Sequence, residues 1–101
     1  MITRTWHAVV LKSKSGEYLE YLKKTGVTDY ITIEGNRGVC VLRRTEGGQT
    51  HYLLLTLWDD EDSIRKFAGD DIEKARCYPE DKDFLIGLES NVTHYEVLLS
   101  K

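Results

Sequence analysis

Cysteine, proline and any excess of one charge are all scarce in this chain of 101 residues. Two cysteines, Cys40 and Cys77, are too few for a disulfide framework and have no metal-ligand spacing, so they read as reduced thiols of a cytoplasmic protein. The one proline, Pro79, marks the end of a helical stretch. Basic and acidic side chains, 14 against 17, are well mixed and leave a net charge of −3. Without a basic stripe, nucleic acid is not an expected partner. No apolar run approaches the roughly 20 residues of a membrane span, and Met-Ile-Thr-Arg-Thr-Trp at the start has no apolar signal region.

What is present is an ordinary globular composition, 41% apolar and 31% charged. Residues 1–101 make one expected domain, which buries about 65% of its unfolded surface. The most legible stretch runs from Tyr52 to Tyr78. It opens with the apolar run Leu53 to Trp58, a buried strand, and continues through four acidic residues, Asp59 to Asp62, around a helix start. Ile64, Phe67, Ala68, Ile72 and Ala75 then fall on one helical face. Gly69-Asp70-Asp71 suggests a break in that helix.

The remaining elements fall around this unit. Residues 3–12 (TRTWHAVVLK) are β-branched and aromatic, a first strand whose faces are Arg4, Trp6, Ala8, Val10 and Thr5, His7, Val9, Leu11. A first helix begins near Ser15 and ends at Lys23, Lys24 and Gly26. Val27 to Glu34 reads as an irregular connection or one helical turn. Val39 to Thr45 is a second strand, joined through Glu46-Gly47-Gly48-Gln49 to a third at Thr50 to Trp58. Glu80 to Leu88 is partly helical, and Val92 to Ser100 is a fourth strand. The order β-α-β-β-α-β predicts an α+β, ferredoxin-like fold with a four-stranded antiparallel sheet and helices on one face. The third and fourth strands are apolar on both faces, so the uncovered face calls for a partner, a second copy of the chain in a dimeric α/β barrel.

Candidate chemistry lies on these strands. His94 and Glu96 share a face of the fourth strand, a pair suited to general-base work, although a histidine bonded inside an interface has the same pattern. His7 sits on the strand expected to pair with it, and the parity of that strand leaves open whether Trp6 or His7 faces a cavity. Trp58 offers a surface for a planar ligand or an anchor beneath the helix. Tyr78 can donate to a carbonyl or serve as a packing residue. No spacing signals a metal. His51, at a strand start, and Arg37, in a turn, read as solvated.

With SIRKFAGDDIEKARCYPEDKDFL followed by VTHYEV, Trp58 closing the third strand and the opening RTWHAVV, the chain resembles the antibiotic biosynthesis monooxygenase-like family. The likeness extends through EYLEYLKKTGVTDY and GNRGVCVLRR. It implies a dimeric α/β barrel whose cavity, between helices and sheet edge or inside the barrel, holds a flat hydrophobic ligand. It also implies a monooxygenase of a small planar aromatic of quinone or anthrone type that works without a cofactor. By the strand patterning above, and not from the family's own site residues, which do not map onto this chain, His94 would be the base, with Glu96 beside it, and Trp58, His7, Tyr78 and Trp6 would contact substrate. The alternatives within the resemblance are a non-catalytic small-molecule binder and a heme-degrading enzyme. Heme-degrading members share the strand-end tryptophan but use an Asn in the first strand and a heme-ligating His in or after the second helix. Here the first strand has no Asn, and residues 59–90 contain no His.

Overall fold

The computed structural model describes every residue except Cys77, with Leu88 described by its backbone alone. The sequence reading of Cys77 therefore lies outside the described residues. Strands β1 (Ile2–Leu11) and β3 (Gln49–Trp58) pair antiparallel over their whole length, from Ile2 opposite Trp58 to Leu11 opposite Gln49. Strand β2 (Asn36–Glu46) joins β3 through a tight turn in which Gly47 takes φ 61°. The fourth sheet position, beside β1, is shared by two short strands. β4 (Leu85–Leu88) pairs with Ala8 to Val10, and β5 (Thr93–Glu96) pairs with Ile2 to Thr5. The sheet has the expected order, but its outer position is one edge strand interrupted at residues 89–92.

That interruption has a visible cause. The backbone there leaves β1 to pair with the segment after the second long helix: Ala75 N–H donates to Ser90 O at 2.9 Å and Val92 N–H to Glu73 O at 2.8 Å. The helical segment expected over residues 80–88 is one turn, α4 (Asp81–Phe84), followed directly by β4.

Helices α1 (Ser15–Lys24), α2 (Gly26–Thr32) and α3 (Glu61–Ala68) cover one face of the sheet. Asp60 caps α3, accepting from Ser63 N–H at 2.8 Å and Ser63 Oγ at 2.7 Å. Those two bonds hold the Asp60 carboxyl below the usual carboxylate range. The helix stops at Gly69, φ 87°, so Ile72 and Ala75 reach the core from irregular backbone. Gly26 does not end α1 as expected. Thr25 ends it, its N–H and Oγ both bonded to Tyr21 O, and Gly26 opens α2. α2 itself is a full helix where only one turn was legible. Its propensity is poor, with Thr28, Ile31 and Thr32 β-branched, and packing supplies what propensity does not. Tyr30 lies 4.3 Å from the Phe67 ring and edge-on to Trp58 at 6.2 Å.

The core lies between this helical layer and the face carrying Trp6, Ala8, Val10, Tyr52, Leu54 and Trp58. Trp58, fully buried, donates its indole N–H to Thr56 Oγ1 at 2.8 Å. The hydroxyl of Thr56 donates in turn to Arg4 O, so these two buried donors are satisfied.

Gly35 is the tightest backbone position. It has φ 95°, and a Cβ there would stand 2.0 Å from Ser63 Oγ and 2.5 Å from its Cβ. Gly35→Ala is expected to cost about 3 kcal/mol, combining ~1–2 for left-handed backbone with ~1–3 for overpacking. Gly47→Ala, in open space, should show only the backbone part, about 1 kcal/mol. Urea unfolding of the two variants checks this, and equal losses would refute the steric argument.

Candidate functional site

β-Alternation separates the candidate histidines. His94 lies opposite Arg4 on the helix-covered face, whereas His7 points to the open face. The expected convergence of His7, His94 and a glutamate is therefore corrected. Glu96 shares the face of His94 but is exposed and pairs across to Ile2. The carboxylate that approaches His94 is that of Glu73, 3.5 Å from Nδ1. That is an ion-pair distance without hydrogen-bond geometry, and both ring nitrogens of His94 are buried with no hydrogen bond. Burial first, then the nearby Arg4 charge, pushes the His94 pKa down, with Glu73 opposing in part. The ring is neutral at pH 7.

Trp58 stands beneath α2 and α3, closed off from solvent and in contact with Tyr30 and Phe67. Trp6 and Tyr78, by contrast, meet. They line a crevice between the sheet and the helical layer together with Tyr30, Leu54, Arg76 and Asp81, with Gly26 on its wall. The parity left open by the sequence places His7 on a cavity of the opposite face and Trp6 on the crevice. Its indole N–H donates to Glu89 O at 3.3 Å.

The polar groups of the crevice are tied together. The Tyr78 hydroxyl donates to Asp29 Oδ2 at 2.5 Å, and burial and that bond push its pKa far up. Asp81 Oδ2 accepts from Tyr78 N–H at 2.7 Å and Oδ1 from the Tyr18 hydroxyl at 3.4 Å. Burial raises the Asp81 pKa against these bonds. Arg76 lies 4.7 Å over the Phe67 ring and 5.3 Å over Tyr78. The enclosed space is about 10 Å³, room for about one water. Outside it lies a groove of about 330 Å³ between Tyr21, Lys24, Pro79 and Glu80. Thr25 and Tyr78 line both spaces, so Tyr78 stands between groove and crevice.

The open face carries a cluster the sequence reading did not find. His7 Nδ1 donates to Glu89 Oε1 at 2.9 Å, and His7 Nε2 lies 2.9 Å from His51 Nδ1 with the rings stacked. The carboxylate can only accept, which fixes the His7 tautomer and makes His51 the donor to it while both rings are neutral. A shallow cavity of about 300 Å³ adjoins them, between Leu42, Leu53, Arg43 and Arg44. The pairing of β1 with β3, not the hairpin, sets His51 opposite Val9 and diagonal to His7, so no local pattern showed it. His51 is consequently half-buried rather than simply solvated. Arg37, also read as solvated, makes a bidentate pair with Asp59 at 2.6 and 2.9 Å.

Among the described residues no group of three or more His, Cys, Asp or Glu side chains could hold a metal ion. Nor do the crevice residues fit a heme. No histidine lines it, and of its two phenols Tyr78 is committed to Asp29 and Tyr30 is packed against Phe67 and Trp58.

No family profile matches the chain, and no curated protein does. Solved structures do. A Bacillus cereus protein assigned to the antibiotic biosynthesis monooxygenases superposes with a TM-score of 0.69 at 18% identity, covering 99% of this chain and 95% of that one. A Nitrosomonas europaea protein with the same assignment gives 0.66 at 15%, covering 98% and 100%. The heme-degrader MhuD of Mycobacterium tuberculosis, solved with two hemes in its active site, gives 0.63 at 18%, covering 100% and 99%. The chain therefore has the fold of these monooxygenases, in agreement with the resemblance read from the sequence.

The buried neutral His94 has a consequence for stability. Below its ordinary pKa of 6.5 the unfolded chain takes up a proton at His94 and the folded chain resists it, so stability falls as pH drops below about 6.5. Urea midpoints of wild type and His94→Gln at pH 7.5 and 5.5 should show a smaller acid loss in the variant. Equal losses would mean that His94 titrates freely in the fold.

Proposed function

We propose that the protein binds a small planar aromatic molecule of the quinone or anthrone class between its helices and its sheet and oxidises it, at an anthrone-like CH2 group, without a cofactor. The observation that carries this is the groove leading past Tyr78 into a crevice walled by Trp6 and Tyr30. Aromatic walls with a few fixed polar groups are what a flat ligand selects. The fold shared with monooxygenases supports the reaction class.

The chemistry needs only a base, an anion-stabilising environment and oxygen. In this reading the neutral imidazole of His94, outside the crevice lining and with Glu73 3.5 Å from its Nδ1, takes a proton from the acidic position of a substrate that extends beyond the crevice. The resulting anion passes an electron to O2, the radical pair recombines as a peroxide, and loss of water leaves a carbonyl. A CH2 group and O2 become C=O and H2O, with no external reductant. Trp58, buried under the ligand-binding layer, serves this reading as support for Tyr30 and Phe67. The binder-only reading draws on the small enclosed space, which a ligand must enlarge by moving Tyr78.

Gly26→Leu tests the site. The glycine has ordinary helical backbone, and a Cβ there would already stand 3.5 Å from Tyr30 and 4.0 Å from Tyr78, so a leucine fills the crevice. In a screen of anthrones and quinols followed by tryptophan fluorescence and oxygen uptake, wild type is expected to bind and consume oxygen. Gly26→Leu should do neither, and His94→Gln should bind with turnover reduced about 100-fold or more. Binding without oxygen uptake in the wild type leaves the binder; binding undiminished in Gly26→Leu refutes the site.

The open face completes this reading. Leu42 and Tyr95 are 46% and 58% exposed there, beside half-buried Leu53, Leu55 and Leu57. An apolar sheet face of this kind supports a twofold homodimer closing a barrel. Wild type should sediment as a dimer and Leu55→Glu as a folded monomer; a monomeric wild type would rule the barrel out.

A further inference from the structure

On the open face, two rows of paired residues cross the sheet side by side: Leu42, Leu53 and His7, then Arg44, His51 and Val9. His7 and His51 are diagonal neighbours across these rows, their rings stacked with centroids 5.1 Å apart and His7 Nε2 2.9 Å from His51 Nδ1. On its other side His7 Nδ1 donates to Glu89 Oε1 at 2.9 Å. Glu89 lies where the edge strand is interrupted, and its backbone carbonyl accepts the Trp6 indole N–H at 3.3 Å, which ties this residue to β1.

The three side chains form a chain with a direction. A carboxylate only accepts, so its bond puts the His7 proton on Nδ1 and leaves Nε2 as an acceptor. His51 then carries its proton on Nδ1, and the remaining nitrogen, His51 Nε2, presents a lone pair. That atom has no hydrogen bond among the described residues, and it is not one of the polar atoms sealed from solvent. The cavity of about 300 Å³ adjoins it, with Leu42 and Leu53 as apolar wall and Arg44 opposite His51. Arg44 brings no free charge, because its Nη1 donates to Glu46 Oε2 at 2.6 Å. None of the cavity's residues lines the crevice.

We propose that this cavity is a second ligand site, for a small apolar molecule bearing one hydrogen-bond donor, an alcohol or a secondary amide, whose O–H or N–H is received by His51 Nε2. Glu89 sets that preference from a distance, through the His7 tautomer. A ligand that offers only acceptors, such as an ether or an ionised carboxylate, sets lone pair against lone pair and gives up hydration without return. The direction of the chain is fixed inside one subunit, so it is the same whether or not a second copy lies over this face.

The test reads the three imidazoles of the full chain by heteronuclear NMR with labelled histidine, at pH 8.5, above the ordinary imidazole pKa of about 6.5. His51 is expected as the Nδ1–H tautomer. Cyclohexylmethanol should shift its Nε2 resonance at a concentration about tenfold or more below that required of the corresponding methyl ether. Glu89→Lys puts a donor where an exposed acceptor stood, so the chain should reverse: His51 becomes the Nε2–H tautomer and the preference passes to the ether. His51→Phe, followed through the methyl resonances of Leu53, should bind both compounds alike. Wild type that binds both equally or neither overturns the site, as does a preference that survives His51→Phe. An Nε2–H tautomer in wild type, or an unchanged His51 in Glu89→Lys, overturns the role of Glu89. Each of these results leaves the crevice reading standing, since anthrone binding and oxygen uptake are measured separately.

Discussion

The ten-residue register between β1 and β3 is the constraint on which everything else depends. Because side chains alternate, one register assigns every residue of both strands to a face, and a slip by one would exchange the faces completely. It puts Arg4, Trp6, Tyr52 and Trp58 under the helices and His7, His51, Leu53 and Leu55 on the open side. The aromatic layer of Tyr30, Phe67 and Trp58 then locks α2 and α3 to that choice, since only one face offers a tryptophan to pack on. The crevice on one side and the exposed apolar face on the other both follow from this one pairing.

Local chemistry made most of the fold legible. Period-two patterning found β1 and β3, the Gly47-Gly48 turn found the hairpin, and the acidic run found the start of α3, where Asp60 forms the cap. What escaped depends on contacts between distant residues. α2 has weak propensity and exists because Tyr30 reaches Phe67 and Trp58. Ile72 and Ala75 continue the helical pattern of α3 yet are not helical, because Gly69 turns the chain and residues 73–75 bond to the edge strand instead. That same bonding splits the last strand in two. Periodicity reports which residues are buried, and a buried residue can be reached from a helix or from an extended strap.

The site was less legible for a related reason. His94 beside Glu96 is a sound pairing along one strand, but the sheet edge lets Glu96 face solvent while Glu73 arrives from a strap 21 residues earlier. Trp6 and Tyr78 were named as ligand contacts without any means of knowing that they share a crevice. Arg4 was placed on one strand face with Trp6, Ala8 and Val10 and was given no role. Only the sheet register and the covering strap show that it is buried.

A buried arginine without a carboxylate is a position that selection for stability alone would not favour, since an apolar residue of similar volume would fill the place without the desolvation cost. Its surroundings argue the same way. The backbone carbonyl of Lys74 and the Phe67 ring take up two sides of the guanidinium, and His94, with Glu73 3.5 Å from its Nδ1, is the residue opposite Arg4 across the strand pair. Core positions nearby show how this fold treats polar groups that serve packing only: Trp58, Thr56 and Tyr52 each end on a bonded partner. Arg4 and His94 depart from that practice at adjoining positions. Asn36 Nδ2, opposite Trp58 on β2, is a further buried polar atom without a hydrogen bond, so the departures follow the edges of the helical layer and are not confined to one pair.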